Sequence, residues 1–289
     1  MSASIGCRIL VGMPHRQRGA GREPVREAID SGVAELVADP DRPEAWTLLI
    51  DGAPQSHVDL ADPAHLEFGY MRQIGHLIDL TAPAGAPLRV LHLGGGALTL
   101  ARYVAATRPR SSQLAVEADA ALVELVRRRM PLQARVRIRT GDARAVLESV
   151  RPGSFDLVIA DVYADGQTPA HVTSAEFAAA VARALDPAGS YAVNISDRPP
   201  LARARAWVAT AGSVFPHAAL MADSAVLRGR RPGNLVGAAS GRELPVAGLA
   251  RRMAGGSLPA RLVHGPELDR FAGGTRPITD DSGGRTGLA

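Results

Sequence analysis

The chain has 289 residues, of which 46% are hydrophobic and 21% are charged, a composition typical of a globular protein with room for a sizeable core. The formal net charge is +4. The sequence contains 33 arginines and no lysine, which excludes a lysine Schiff base and a P-loop lysine. No run of about 18 apolar residues occurs, so no membrane span is expected.

The same composition limits the partners and the location that we expect. The arginines form short, dispersed clusters and only 4% of the residues are aromatic, so no nucleic-acid surface is predicted. The stretch from Met1 to Arg8 lacks the basic and apolar regions of a secretory signal, which predicts a cytoplasmic protein. Cys7 is the single cysteine, so no intrachain disulfide can form, and the histidines lack metal-ligand spacing, so no metal is expected.

The N-terminal part of the chain is predicted to hold a small β-hairpin domain. Residues 1–34 form a poorly specified lead-in, and the stretch from Val25 to Val37, which crosses its end, has the spacing of a short helix. Residues 35–82 contain short extended runs separated by Asp-Pro and Asp-Gly pairs, which indicate hairpins. The apolar residues from Leu66 to Leu80 recur at helical spacing and predict a helix that links this domain to the next.

Residues 83–240 are predicted to form a Rossmann-like domain. Strands alternate with helices along this range, which indicates an α/β fold with a doubly wound, mostly parallel sheet. Two runs, Ala218 to Leu227 and Asn234 to Ser240, predict a closing strand pair with one antiparallel strand near the end. Residues 241–289 form a C-terminal extension rich in glycine, proline and arginine.

A glycine loop and a carboxylate point to a nucleoside-binding site. Gly94, Gly95 and Gly96 follow a predicted strand, where they allow a sharp turn and a close approach to a ligand. Glu117 ends the next strand, at the spacing of about 20 residues that places a carboxylate beside ribose hydroxyls. A glycine turn that serves packing alone is the alternative.

Two further carboxylates follow predicted strands. Asp142 comes after the run Arg135 to Thr140, and Asp161 comes directly after the run Phe155 to Ala160. Open α/β sheets bind ligands at the carboxyl ends of their strands, so these acids are candidate site residues. Asp161 could instead only cap the following segment, because aspartate commonly ends strands.

The order of domains and motifs resembles the spermidine synthase (polyamine aminopropyltransferase) family, which functions in polyamine biosynthesis. Members of that family place a small β domain before a Rossmann-like domain of the class I methyltransferase type. The resemblance runs from about Trp46 to Ser240, and Pro277 to Asp281 is similar to the family's terminal segment. Four motifs carry it: Leu49 to Gln55, Glu67 to Tyr70 with His76 and Leu77, Gly94 to Gly96, and Val158 to Asp161.

The resemblance implies a role for each matching residue. Gln55 would contact the methionine-derived arm of the co-substrate, Glu117 its ribose, and Asp142 with Ala143 its adenine. Asp161 would be the catalytic acid–base residue, with Tyr70 and Tyr163 lining the channel for a small-molecule amine. The implied co-substrate is decarboxylated S-adenosylmethionine or S-adenosylmethionine, and the implied assembly is a homo-oligomer, either a dimer or a tetramer.

Departures from the family pattern leave three functions open. Ala97 stands where the family has an aspartate for the aminopropyl ammonium group, and Met71 and Arg72 replace its His-Glu or Gln-Glu pair. The chain could transfer an aminopropyl group, transfer a methyl group from intact S-adenosylmethionine, or bind a thio-adenosine nucleoside without catalysis. Retention of Asp161 favours the two enzymes over the third function.

Overall fold

The computed structural model describes residues 22–132, 134–163, 168–255 and 260–283. Most of the predicted lead-in, with Cys7, lies outside these ranges, and so do residues 164–167 and the last residues of the C-terminal extension. None of the helices in the described ranges is long and apolar enough to cross a membrane.

A four-stranded antiparallel sheet begins the described chain. Its strands are neighbours in sequence order: β1 Val25–Ile29, β2 Gly32–Ala38, β3 Ala45–Ile50 and β4 Ala53–Asp59. The helix expected from Val25 to Val37 is wrong, because the turn at Gly32, with φ of 141°, splits this stretch into a hairpin. The small sheet therefore begins at Val25 and not at residue 35.

The helix that links the two sheets is α1, Gly69–Thr81, close to the range predicted from the apolar spacing. Its buried face packs against the large sheet through Ile74, Leu77 and Ile78. Because Tyr70 lies one turn before Ile74, the helix also carries the tyrosine hydroxyl to the edge of that sheet.

A second sheet forms the body of the molecule. Its strands are β5 Arg89–Leu93, β6 Ser112–Glu117, β7 Val136–Thr140, β8 Phe155–Ala160, β9 Leu185–Asp197, β10 His217–Asp223, β11 Gly233–Ser240 and β12 Ala260–His264. Within the described residues it has eight strands, in the order β12-β10-β11-β9-β8-β5-β6-β7. The helices between and after them are α2 Thr99–Thr107, α3 Ala120–Arg129, α4 Ala143–Ser149, α5 Ala175–Ala184, α6 Ala202–Gly212, α7 Ser224–Leu227, α8 Val246–Ala254, α9 Pro266–Ala272 and α10 Asp280–Gly283.

The strands from β5 to β9 pair in parallel with one another, and the far edge of the sheet is antiparallel. β11 pairs antiparallel with both β9 and β10, and β12 pairs antiparallel with β10. Two strands thus oppose the main direction, where the sequence predicted one. The C-terminal extension supplies β12, so Ala260–His264 complete the sheet edge.

Helices cover both faces of the large sheet, which confirms the doubly wound prediction. Leu157 and Ile159 of β8 face the cluster that contains α1, whereas Val158 and Ala160 face the cluster that contains α5 and α6. Since side chains alternate along a strand, the next residue, Asp161, projects toward the α1 side.

Hydrogen bonds fasten the small sheet to the large one at the start of α3. Asp119 accepts from the Leu122 amide at 2.7 Å, and its other oxygen accepts from the Ser31 amide and hydroxyl at 2.8 and 2.6 Å. Asp30 accepts from the Ala120 amide at 2.9 Å. The hairpin turn between β1 and β2 therefore helps to satisfy the free amides of this helix terminus.

Candidate functional site

The strand register places four predicted or newly found site residues in one row. Leu93 of β5 pairs with Val116 of β6 and Ala160 of β8, and Ala160 pairs with Val193 of β9. The row that follows these paired residues, at the carboxyl ends of the strands, consists of Glu117, Gly94, Asp161 and Asn194. The parallel sheet thus brings together residues that are far apart in sequence.

Gly94 allows β5 and β8 to meet closely at this edge. Its φ is 88°, and a Cβ built on it would lie 2.1 Å from the backbone oxygen of Asp161. The Asp161 amide also donates to the carbonyl oxygen of Leu93 at 2.8 Å, which holds the two chains together. Internal packing therefore accounts for this glycine, and the approach it permits sets Asp161 beside the glycine loop.

Glu117 lies against the glycine loop, as its spacing predicted. One of its oxygens accepts from the amides of Gly95 and Gly96, both at 2.9 Å, and the other accepts from the Asp119 amide at 3.1 Å. Each carboxylate oxygen has two lone pairs, so Oε2 is fully used and Oε1 keeps one lone pair that a ribose hydroxyl could bind. The loop and carboxylate fit a nucleoside, while the contact itself remains a prediction.

Strand β4 of the small sheet lies across the other side of the loop. The Ser56 hydroxyl accepts from the Ala97 amide at 3.2 Å, and the Thr99 hydroxyl donates to the His57 carbonyl at 3.0 Å. Gln55 precedes Ser56 at the bulge where β3 and β4 shift register. Gln55 is thus the chain neighbour of a residue that contacts the loop, and its own contact with the co-substrate stays a prediction. Ser56 and Thr99 were not predicted, because a lone hydroxyl residue forms no sequence pattern.

Asp142 and Ala143 begin helix α4 at the end of β7. One Asp142 oxygen caps the helix by accepting from the Ala145 amide at 2.8 Å, and the other lies 2.9 Å from His171 Nε2. Partial burial would raise the pKa of Asp142, but these two hydrogen bonds hold it below its usual value. The pair with His171, from the turn after the Tyr163 loop, was not predicted.

Asp161 is held by one hydroxyl and one amide. Tyr70 donates to Asp161 Oδ2 at 3.1 Å, and Asn194 Nδ2 donates to Oδ1 at 2.8 Å. Burial raises the pKa of Asp161, the bonds from Asn194 and Tyr70 partly counter it, and the charge of Glu117 raises it further. Burial beside this carboxyl also raises the pKa of Tyr70 well above its usual value, so Tyr70 remains a neutral donor.

Asn194 was the residue that sequence reasoning missed here. The available sequence signal was a polar residue inside the apolar run of β9. In the structure Asn194 lies one residue beyond Val193, the strand partner of Ala160. The Oδ1 atom of Asn194 is buried and has no hydrogen-bond partner among the described residues, so the side chain offers an acceptor next to Asp161. An amine hydrogen is a group that this acceptor could bind.

The remaining predicted residues have different surroundings. Tyr163 follows Asp161 by two residues and is 39% exposed, so its place along an amine channel remains a prediction. Ala97 is 1% exposed and belongs to the apolar cluster that includes Leu36 and Leu48 of the small sheet. Alanine therefore suits the packing at this position, and it supplies no carboxylate.

Metal ligation has no support in the described part of the chain. Across those residues, no group of three or more His, Cys, Asp or Glu side chains could hold a metal ion. The Glu117 carboxylate instead accepts from backbone amides. The Asp161 carboxylate accepts from the Tyr70 hydroxyl and the Asn194 side-chain amide.

Comparison with solved structures defines the class of the fold. Human methyltransferase-like protein 13 in complex with SAH has a TM-score of 0.50 and 20% identity, covering 73% of this chain and 95% of that chain. At this identity the likeness concerns the fold alone. The protein is therefore of the methyltransferase-type Rossmann class, preceded by a small antiparallel sheet.

Closer relatives define the family. Residues 67–202 match the family described as the spermine/spermidine synthase domain. A probable spermidine synthase from Corynebacterium glutamicum has a TM-score of 0.83 and 36% identity, covering 90% of this chain and 97% of that chain. Polyamine aminopropyltransferase 2 of Streptomyces coelicolor is 32% identical over an alignment of 273 residues that covers 90% of this chain. The chain belongs to the spermine/spermidine synthase family, whose members are transferases, and it spans about half (47%) of the Streptomyces protein.

Proposed function

We propose that the protein transfers an aminopropyl group from decarboxylated S-adenosylmethionine to a small-molecule amine. The observation that carries the proposal is the Asp161 carboxylate, which is bound by Tyr70 and Asn194 and lies in the same row as Gly94 and Glu117. Family membership supports the reaction class. A proton acceptor next to a nucleoside cradle is what the transfer requires.

Asp161 supplies the proton acceptor in this proposal. An alkyl amine is protonated near pH 7 and cannot attack carbon until one nitrogen is neutral. The amine nitrogen then bonds to the aminopropyl carbon, the carbon–sulfur bond breaks, and its electron pair neutralises the sulfonium. Asp161 takes the proton that the nitrogen loses, while Tyr70 and Asn194 fix the carboxylate orientation. Alignment of the two reactants supplies much of the remaining acceleration.

The other site residues hold the nucleoside. Glu117 binds the ribose, Asp142 and Ala143 bind the adenine, and Gln55 contacts the arm attached to sulfur. Gly94, Gly95 and Gly96 form the loop of this cradle: Gly94 lets β5 approach β8, and the Gly95 and Gly96 amides donate to Glu117. The contacts of Glu117 with the loop amides support this assignment, because they fix both parts of the cradle to each other.

Methyl transfer from intact S-adenosylmethionine is the second candidate, and Ala97 favours it. The small buried side chain cannot bind the aminopropyl ammonium group, which removes a charge-assisted hydrogen bond of about 1.5–3 kcal/mol. A thio-adenosine-binding protein without activity is the third candidate. It is disfavoured because Asp161 is retained and accepts hydrogen bonds from Tyr70 and Asn194.

The nucleoside product distinguishes the candidates. Purified protein is incubated with either donor and a panel of amines, and the products are separated by mass spectrometry. We expect 5′-methylthioadenosine from the decarboxylated donor, since aminopropyl transfer leaves the methyl group on sulfur. S-adenosylhomocysteine from the intact donor would instead establish methyl transfer. Nucleoside binding without either product would favour the non-catalytic alternative.

The pH dependence of the reaction should respond to Tyr70. Tyr70→Phe removes a donor that stabilises ionised Asp161, so the pKa of Asp161 rises further. Because the proton acceptor must be ionised, we expect the acidic limb of kcat/KM to move to higher pH. Tyr103→Phe is the matched control, as the Tyr103 hydroxyl donates to Asp79 at 2.9 Å away from the site. An acidic limb that stays in place in Tyr70→Phe contradicts the assignment.

We also propose that the protein is a cytoplasmic homo-oligomer, a dimer or tetramer, acting on a small amine without nucleic-acid or membrane partners. The support is the family resemblance and the composition. Light scattering of the purified protein measures the assembly, and a monomeric mass at micromolar concentration would contradict this part of the proposal.

A further inference from the structure

The C-terminal segment, residues 277–281, returns to the adenine side of the candidate site. The Ile278 carbonyl accepts from the Ala175 amide at 2.8 Å, and the Ile278 amide donates to the Thr210 hydroxyl at 2.9 Å. The Asp280 amide donates to Glu176 Oε2 at 3.0 Å. The segment lies outside residues 67–202, which match the family domain, and the proposed reaction assigns it no role.

Asp280 binds Arg144 through two parallel hydrogen bonds. The guanidinium donates to Oδ1 and Oδ2, both at 2.7 Å, and the side chains are 20% exposed for Arg144 and 39% for Asp280. The Arg144 guanidinium and the Ser174 hydroxyl lower the pKa of Asp280 to about 2. A bidentate, partly screened pair within a network holds its geometry better than a typical surface ion pair.

Arg144 connects this ion pair to the predicted adenine-binding residues. It directly follows Asp142 and Ala143 in helix α4, and it donates to the His171 carbonyl at 3.1 Å. The His171 ring in turn lies 2.9 Å from Asp142 Oδ2. Continuous contacts thus lead from Asp280 through Arg144 and His171 to the Asp142 carboxylate.

We propose that Asp280 and Arg144 are positioning residues that hold the adenine side of the site in its binding conformation. They fix the short 3-10 turn Ala170–Val172 against the start of α4, and so determine where Asp142 and His171 lie. This inference rests on the proposed function only in taking the ligand to be an adenine nucleoside. It assigns the pair to nucleoside binding and gives it no part in proton transfer.

A purely structural ion pair would lower stability without changing affinity, so the two roles make different predictions. Asp142 uses one oxygen to cap α4 and the other to bind His171, and an adenine amino group would bind a lone pair that these two contacts leave free. If the turn is released, the His171 ring and the carboxylate lose their fixed separation. The affinity for the nucleoside should then fall, while the transfer step at saturating donor should change little.

The test is calorimetric titration of the full chain with 5′-methylthioadenosine. For Asp280→Asn we expect Kd to rise about five- to tenfold, with kcat at saturating donor within about twofold of the unmodified protein. Asp280→Glu keeps the charge and should recover part of the affinity. The matched control is Glu267→Gln. Glu267 forms an ion pair with Arg261 elsewhere in the C-terminal extension, with 2.9 Å between Nη2 and Oε1, and its loss should leave Kd unchanged.

Thermal unfolding is measured for every variant to verify that it folds. If Asp280→Asn does not fold, Arg144→Lys replaces it in the affinity measurement. Lysine keeps the charge but cannot make two parallel bonds, so Kd should rise about threefold. An unchanged Kd in a folded Asp280 or Arg144 variant would overturn the positioning role and leave the proposed reaction standing. If the unmodified protein binds neither 5′-methylthioadenosine nor the donors, the proposed function itself fails.

Discussion

Asp161→Asn is expected to lower kcat for group transfer by about 10²- to 10⁴-fold, the usual contribution of a general base, while nucleoside binding is retained. Asparagine has nearly the same shape and can still accept from Tyr70, but it cannot take a proton from the attacking amine. The measurement is single-turnover production of 5′-methylthioadenosine, together with its Kd by calorimetry.

The matched control for this variant is Asp156→Asn, at the other end of the same strand. Asp156 accepts from the Arg89 amide at 2.8 Å and pairs with the Arg89 side chain, so its replacement tests loss of a carboxylate from β8 without loss of the proposed base. We expect normal kcat and a small loss of stability. If Asp161→Asn retained full kcat, the carboxylate would have no acid–base role, and a structural cap at the strand end would be its remaining explanation.

The sequence predicted the parts of the site that depend on local pattern. Gly94, Glu117 and Asp161 each follow an apolar run, and parallel strands place such ends at one edge of the sheet. Their proximity could be inferred without knowledge of exact contacts. The strands and helices of the parallel region could be predicted for the same reason, because hydrophobic periodicity is a local property.

The residues that escaped prediction depend on contacts distant in sequence. Asn194 meets Asp161 only because β8 and β9 pair in one particular register. Ser56 reaches the Ala97 amide only because the small sheet docks on the glycine loop. His171 meets Asp142 across a loop between two elements. Single polar residues of this kind have no periodicity of their own.

The error at Val25 to Val37 has a different cause. Apolar residues in this stretch satisfy helical spacing, while the turn at Gly32 and the pairing of β2 with β3 determine the actual strands. Once the hairpin forms, Ala34 and Leu36 share one face and are buried. Tertiary packing therefore overrides the local spacing. The antiparallel strand β12 is likewise set by pairing across the sheet, which no local pattern specifies.

Gly94→Ala is expected to cost about 3 kcal/mol of unfolding free energy or more, because two penalties add at this position. The backbone φ of 88° strains any residue with a Cβ by about 1–2 kcal/mol. The Cβ would also lie 2.1 Å from the Asp161 carbonyl oxygen and 2.7 Å from its carbon, both of them backbone atoms. Relief of that clash requires β5 and β8 to separate where Asp161 is held.

Gly85→Ala separates the two penalties. Gly85 also has a positive φ, 72°, but a Cβ there meets nothing within 4 Å, so only the conformational strain applies. Chemical denaturation of both variants measures the difference, and group transfer should fall at least about 100-fold in Gly94→Ala and remain normal in Gly85→Ala. Equal losses of stability with activity retained in both would mean that the strand ends are not in close contact. A larger loss in Gly94→Ala, with transfer abolished, would show that the approach of β5 to β8 both packs the sheet edge and aligns Asp161 with the nucleoside cradle.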